Sequence, residues 1–99
     1  MRDKTLLAND SGFCWLCGRA LGGRVERHHP VPRAKGGRAA VAVHPICHSA
    51  LHAAFSNGEL ARIGEDATAL RVAPALARFL RWIADKPPDF HAPTQRRRR

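Results

Sequence analysis

The sequence has no apolar run long enough for a membrane span or an export signal. No stretch of its 99 residues approaches the ~20 consecutive apolar residues that a transmembrane helix needs. The first residues, MRDKTLLANDSGF, lack the longer apolar segment of a secretory signal peptide. We therefore expect a cytoplasmic protein that does not engage a membrane.

Cysteine is also scarce, and its count of three is odd. An odd count cannot be paired completely into disulfides, and nothing in the sequence directs the chain to an oxidising compartment. The cysteines are therefore expected to be reduced and available as metal ligands. The sequence contains no internal repeat, and its length suits one domain at most.

Acidic residues are outnumbered by basic ones, 8 to 17, which gives a net charge of +9. The excess is concentrated in residues 19–38, where Glu26 is the single acid, and in residues 71–99. A basic block around a pair of histidines is typical of a site that handles a polyanion. Bulky apolar residues are sparse between positions 13 and 44, so a small domain of this kind is expected to need a metal for stability.

Two pairs of soft ligands predict a zinc site. Cys14 and Cys17 form a C-x-x-C pair, and His44 and Cys47 form an H-x-x-C pair that 26 residues separate from the first. Such a set suits a tetrahedral structural Zn²⁺. Gly18 follows the first pair and can adopt the positive φ that the turn after the second cysteine needs.

The remaining histidines of this region predict a second metal. His48 and His52 are four residues apart, so a helix would place them on one face, about 100° away from the direction of Cys47. His28 and His29 are adjacent and precede Pro30. One of this pair can bind an ion while the other contacts a water molecule, which is the pattern of a reactive metal centre with a general base.

Local patterns predict two short strands followed by several helices. Pro45 and Pro74 suit first helical turns, and residues 56–59 read S-x-x-E, a capping box. We expect strands at 25–29 and 41–43, and helices at 45–55, 56–63, 66–70 and 74–85. Residues 1–55 would form the core unit, 56–86 a helical extension of the same domain, and 87–99 a basic flexible tail.

The segment ERHHPVPRAKGG followed by HPICHSALH resembles the HNH nuclease family over roughly residues 12–55. The resemblance implies an α+β fold, a small ββα-metal unit with zinc knuckles, here followed by C-terminal helices. It also implies a metal-dependent endonuclease, a hydrolase of DNA phosphodiester bonds. Because no sequence-reading helix is evident, we expect low sequence specificity on double-stranded DNA, and we expect a monomer.

The resemblance also assigns residues. His29 matches the general base, and His28, His48 and His52 match the ligands of one catalytic divalent metal, which could be Zn, Ni, Mn or Mg. Phosphate contacts are expected from the basic block around the paired histidines, from Arg27, Arg33, Lys35 and Arg38.

Two positions depart from the family pattern. His44 stands where the second knuckle usually has a cysteine, and Ala39 stands where the family has its asparagine. Ala39 supports an alternative, a catalytically inactive zinc-stabilised module that binds nucleic acid. A third interpretation is a zinc-stapled protein-interaction domain that uses the helix at 74–85. Glu26 can be read either as a partner that orients a histidine or as a surface acid.

Overall fold

The computed structural model describes residues 12–31, 36 and 39–92, in which two short strands precede four helices. The described elements are β1 (Glu26–His28), β2 (Val41–Val43), α1 (Pro45–Ala54), α2 (Asn57–Ile63), α3 (Ala67–Val72) and α4 (Pro74–Ile83). The predicted order of strands and helices and the α+β class are confirmed.

The strands form an antiparallel pair in which Glu26 lies opposite Val43 and His28 lies opposite Val41. β1 is shorter than the predicted strand at 25–29, because the three residues of β2 pair only with Glu26–His28. All three residues of β2 are buried, whereas β1 is exposed until it reaches His28. The hairpin therefore turns His28 inward at the end of β1.

Local chemistry accounts for the helix ends. At the start of α2 the Ser56 hydroxyl accepts a hydrogen bond from the Glu59 N–H at 3.1 Å, and the Glu59 carboxylate accepts one from the Ser56 N–H at 2.8 Å, which confirms the capping box. α4 ends at Ile83, two residues before the predicted end, because the next residues form a turn closed by the Lys86 N–H on the Ile83 carbonyl. No helix in the described ranges combines the length and apolarity that crossing a bilayer requires.

One hydrophobic core joins both halves of the chain. Its fully buried side chains come from the loop that carries Cys14 and Cys17, called here the cysteine loop, from β2 and from all four helices. They include Leu16, Val41, Val43, Ile46, Leu51, Leu60, Leu70, Leu76 and Ile83. Leu76, Phe79, Leu80 and Ile83, spaced i, i+3, i+4 and i+7, form an apolar stripe along α4. Leu76 and Ile83 are buried in this core, and Phe79 and Leu80 pack against it. The stripe is thus occupied within the domain, which argues against the protein-interaction interpretation.

Long side chains attach the C-terminal half to the cysteine loop. Arg71 of α3 donates hydrogen bonds from Nε to the Leu16 carbonyl and from Nη2 to the Trp15 carbonyl, both at 2.8 Å. The guanidinium of Arg19 donates to the Pro87 carbonyl at 2.7 Å. These contacts hold the loop from two sides. The flexible tail predicted for residues 87–99 stays a prediction, and residues 93–99 lie outside the described residues.

Candidate metal centres

A loop and the start of α1 bring four soft donors together. The loop carries Cys14 and Cys17 and turns at Gly18, whose φ is +79°. His44 is the residue before α1, and Cys47 lies in the first turn of that helix. The four donor atoms all lie within 4.8 Å of one another. The structure thus contains the predicted Cys3His group, called here the Cys3His site, which can hold a structural metal such as zinc.

The distances in the Cys3His site fit one tetrahedral ion. Nδ1 of His44 lies 3.4 Å from the Cys17 sulfur and 3.7 Å from the Cys47 sulfur. Zn–S bonds of ~2.3 Å and a Zn–N bond of ~2.0 Å at the tetrahedral angle would place nitrogen and sulfur roughly 3.5 Å apart. The His44 nitrogen and these two sulfurs therefore already have the spacing that the ion imposes, and three sulfurs with one imidazole favour zinc over magnesium or calcium.

Further hydrogen bonds orient these donors. Nε2 of His44 lies 2.8 Å from the Ala20 carbonyl, and since a carbonyl only accepts, Nε2 carries the hydrogen and the lone pair of Nδ1 is available to an ion. The Cys17 N–H donates to the Cys14 sulfur at 3.5 Å, and the Arg19 guanidinium donates to the Cys17 sulfur at 3.8 Å. Both donors stabilise thiolates, the form that binds metal.

The three thiols hold their protons unequally. Hydrogen bonds from the side chains of Cys17 and Cys47 hold the pKa of Cys14 well below its usual range. Hydrogen bonds with the side chains of Cys14 and then Cys17 raise the pKa of Cys47, and the bond with Cys14 also raises the pKa of Cys17. Metal binding at this site would therefore release protons, and its affinity would fall in acid.

A second group consists of three imidazoles, called here the histidine triad. His28 ends β1, and His48 and His52 lie one turn apart on α1. Their ring centroids are 5.4 Å apart for His28 and His48, 5.5 Å for His28 and His52, and 4.9 Å for His48 and His52. One nitrogen from each ring lies within 4.8 Å of the other two. The fold thus brings together the three histidines that the sequence assigns to a second metal.

His28 tests whether the triad suits a metal. The residue is 1% exposed, and neither of its ring nitrogens has a hydrogen-bond partner among the described residues. A buried polar group without a partner costs about 1–3 kcal/mol. An ion that accepts a lone pair from His28, with His48 and His52 beside it, would supply the missing partner. Three imidazoles favour zinc, nickel, cobalt or copper by affinity.

The protonation states of the triad also suit metal binding. Burial, followed by the neighbouring rings of His48 and His52, lowers the pKa of His28 to about 3. Burial, followed by His48, lowers the pKa of His52. Both imidazoles are therefore neutral at pH 7, the form whose nitrogen lone pair can bind a cation.

A carboxylate orients one ring of the triad. Nδ1 of His48 donates to Oε1 of Glu26 at 2.9 Å. Glu26 and His28 are two residues apart on β1, so both point to the same side of the strand. The bond fixes the ring and leaves Nε2 of His48 for an ion. Of the two interpretations of Glu26, the structure agrees with a partner that orients a histidine, although the Glu26 side chain is also 50% exposed.

Glu26→Gln should therefore weaken metal binding at the triad. Loss of the carboxylate lowers the basicity of His48, and such changes cost ~10–100-fold in metal affinity. Isothermal titration of Ni²⁺ into protein that carries one zinc measures this affinity. Glu65→Gln, which removes another exposed acid, is the matched control and should bind like the wild type. Equal affinities in the two variants would show that the Glu26 contact does not act on the metal.

Trp15 connects the two groups. Its ring lies 5.7 Å from the ring of His28, between centroids, and its backbone N–H donates to the Ala42 carbonyl of β2 at 3.0 Å. Trp15 is also the residue that follows Cys14. A disturbance of the cysteine loop would thus reach His28 directly.

The structure covers part of the remaining predicted site. His29 follows β1, is half-buried, and lies beside His28 but outside the histidine triad. Arg27 is exposed on β1. Arg33, Lys35 and Arg38 lie outside the described residues. The catalytic role of His29 and the phosphate contacts of the four basic residues stay predictions.

Comparison with known proteins places the chain in a family. It is 39% identical over 82 residues to YisB of Bacillus subtilis (strain 168), described as an uncharacterized protein, and the match covers 80% of each chain. The chain belongs to the YisB family. No family model and no solved structure matches it. Because the name YisB carries no activity, a function for this member of the YisB family has to be argued from its own residues.

Proposed function

We propose that this YisB-family protein is a metal-dependent, HNH-type endonuclease that hydrolyses DNA phosphodiester bonds with little sequence specificity. The observation that carries the proposal is the histidine triad, whose most buried member, His28, has ring nitrogens without a described partner. The architecture supports it as well, because α1, which bears two triad residues, packs against the β1 strand that bears the third. The Cys3His site would hold the structural zinc of the same unit.

The triad and its neighbours would bind and orient the reactive centre. A divalent ion at His28, His48 and His52 would stabilise the negative charge that builds on the phosphate and on the leaving oxygen during hydrolysis. Glu26 holds the ring of His48 through the 2.9 Å bond, and Trp15 packs against His28. Ligands held in this way keep the centre in one geometry.

His29 is the proposed general base. It is the histidine next to the triad that does not belong to it, and its half-buried side chain leaves it reachable by water. Its ring nitrogen would take a proton from the attacking water as the water oxygen bonds to phosphorus and the bond to the leaving oxygen breaks. A general base of this kind contributes ~10²–10⁴-fold in rate.

Phosphate contacts would come from the basic residues around the paired histidines. Arg27 is exposed on β1 and is the described member of the proposed set. Arg33, Lys35 and Arg38 complete the proposed set. Contacts to phosphates position a duplex without reading its sequence, which agrees with the low specificity proposed here.

An alternative function is a catalytically inactive module that binds nucleic acid. Ala39 favours it, because the asparagine at this position of the HNH nuclease pattern braces the loop that carries the base or helps to bind metal. A methyl group can do neither. Ala39 is half-buried and directly precedes Ala40, which is buried beside β2. The chain would then use the same basic surface without hydrolysis.

Nicking of supercoiled plasmid separates these functions. We expect the wild type to convert supercoiled DNA to nicked circles when a divalent metal is supplied, and to stop when EDTA is in excess. Salt-sensitive retention of DNA in a gel without nicking, across several metals, would favour the inactive module. A protein that neither cleaves DNA nor retains it in the gel would contradict both proposals.

A further inference from the structure

The outward face of α4 combines cations with an aromatic ring. Arg78 and Arg81 are exposed, and Trp82 is 43% exposed. Residues three and four apart are neighbours on a helix, so these side chains share one face. Leu76 and Ile83 are buried on the opposite side, and α4 contains no acidic residue. We call Arg78, Arg81 and Trp82 the α4 basic face.

The indole of this face is held by its neighbours. Its ring centroid lies 5.4 Å from that of Phe90 and 6.1 Å from that of Phe79, and the Lys86 ammonium lies 5.5 Å from it. These contacts restrict the ring, so its exposed part is a preformed surface whose ordering on binding costs little entropy.

The positive charge of the face is not neutralised within the described part of the chain. Arg78 and Arg81 make no hydrogen bond or ion pair with any described residue. Asp85 lies 3.5 Å from the Lys86 ammonium, so this acid and this base offset each other. Two guanidiniums therefore remain to attract an anionic partner.

We propose that the α4 basic face binds a single strand of nucleic acid, with Arg78 and Arg81 on phosphates and one base stacked on Trp82. The two unneutralised cations select a polyanion, and the rigid exposed indole beside them on α4 selects one with unstacked bases, because base–aromatic stacking needs a free base face. The inference rests on the proposed function only in taking nucleic acid as the ligand. It adds that the preferred substrate has an unpaired segment, which this face holds outside both metal centres.

Trp82 reports directly on this binding. The chain has two tryptophans, and the other, Trp15, is 9% exposed. Phosphorothioate oligothymidine, which keeps its charge and resists hydrolysis, should quench the tryptophan emission of the metal-loaded wild type. Trp82→Phe, which keeps an aromatic ring against Phe90, should abolish the quenching and leave the emission of Trp15 unchanged by the oligonucleotide.

Affinity measurements test the arginines and the stacking. Arg78→Ala and Arg81→Ala should each lower the slope of log affinity against log salt by ~0.7, the value for one phosphate contact on a single strand. Arg62→Ala removes one exposed cation from α2 and is the matched control. Trp82→Ala should weaken binding about 5- to 150-fold, the range for loss of one stacked base. A circular dichroism melt of each variant checks its fold.

The outcomes separate this inference from the nuclease proposal. If the oligonucleotide quenches the emission but the protein never nicks DNA, the inference about the α4 basic face is supported and the nuclease proposal is contradicted. The inference about the α4 basic face alone would be overturned if the wild type nicks DNA normally but shows no quenching, and if both arginine variants have the same salt slope as Arg62→Ala. Quenching by vesicles of equal parts phosphatidylglycerol and phosphatidylcholine, but not by the oligonucleotide, would assign the face to an anionic membrane and also overturn the inference.

Discussion

Cys14→Ser is expected to leave the chain unfolded and without its zinc. Cys14 is 2% exposed, and its sulfur lies in the four-donor Cys3His site. Structural zinc sites in small domains contribute an apparent ~10–16 kcal/mol, which is as large as the ~5–15 kcal/mol by which a typical domain is stable. Far-UV circular dichroism and elemental analysis of the purified variant measure the two losses together.

His52→Ala is the matched control for this experiment. It also removes a single metal ligand, but from the exposed end of the histidine triad, so it should keep one zinc and a wild-type circular dichroism spectrum. Strong chelator should likewise lower the melting temperature of the wild type. A Cys14→Ser protein that melts like the wild type would contradict the assignment of zinc to the stability of the fold.

The second large effect is expected at His29. If His28, His48 and His52 hold the ion and His29 holds the proton, substitutions at the two kinds of position should have different consequences. His29→Ala should keep both metals and DNA binding but lose ~10²–10⁴-fold in cleavage rate. His48→Ala should lose the second metal and cleavage together, while the structural zinc and the fold survive. Native mass spectrometry and plasmid nicking provide the two measurements.

His91→Ala removes a histidine that is exposed and lies outside the triad, so it should behave like the wild type in both assays. Robust cleavage by His29→Ala would move the base to another residue. Loss of the second metal from His29→Ala would instead make this histidine a ligand, and the division of roles within the H-H pair would be wrong.

The sequence predicted those parts of the fold and site that depend on short spacings. The x-x spacing of each knuckle pair and the four-residue spacing of His48 and His52 are properties of one turn of chain, so each pair of zinc ligands and the stacking of the two helix histidines follow directly. The joining of the two pairs into one site was predicted from the chemistry of zinc, which takes four such ligands. The capping box at Ser56 and the first-turn proline of α4 are local for the same reason.

Contacts between segments that are distant in the sequence could not be predicted as well. Glu26 could be read in two ways because its histidine partner is 22 residues away, although the E-x-H spacing on β1 already placed its side chain on the same side as His28. No short sequence pattern predicts the packing of Trp15 against His28, or the hydrogen bonds from Arg71 to the carbonyls of the cysteine loop. They arise because the loop, the hairpin and α3 share one core.

The most direct test of the central claim, a structural zinc and a separate reactive metal in one chain, is a metal titration with cleavage as the readout. Protein stripped to one zinc per chain is supplied with Ni²⁺, Mn²⁺, Mg²⁺ or Zn²⁺ in steps, and nicking of supercoiled plasmid is followed against bound metal. We expect no nicking with one zinc per chain and a rise that saturates when a second ion is bound, with no rise in His48→Ala. Full nicking with one zinc alone, or two bound ions without nicking for any of these metals, would contradict the claim.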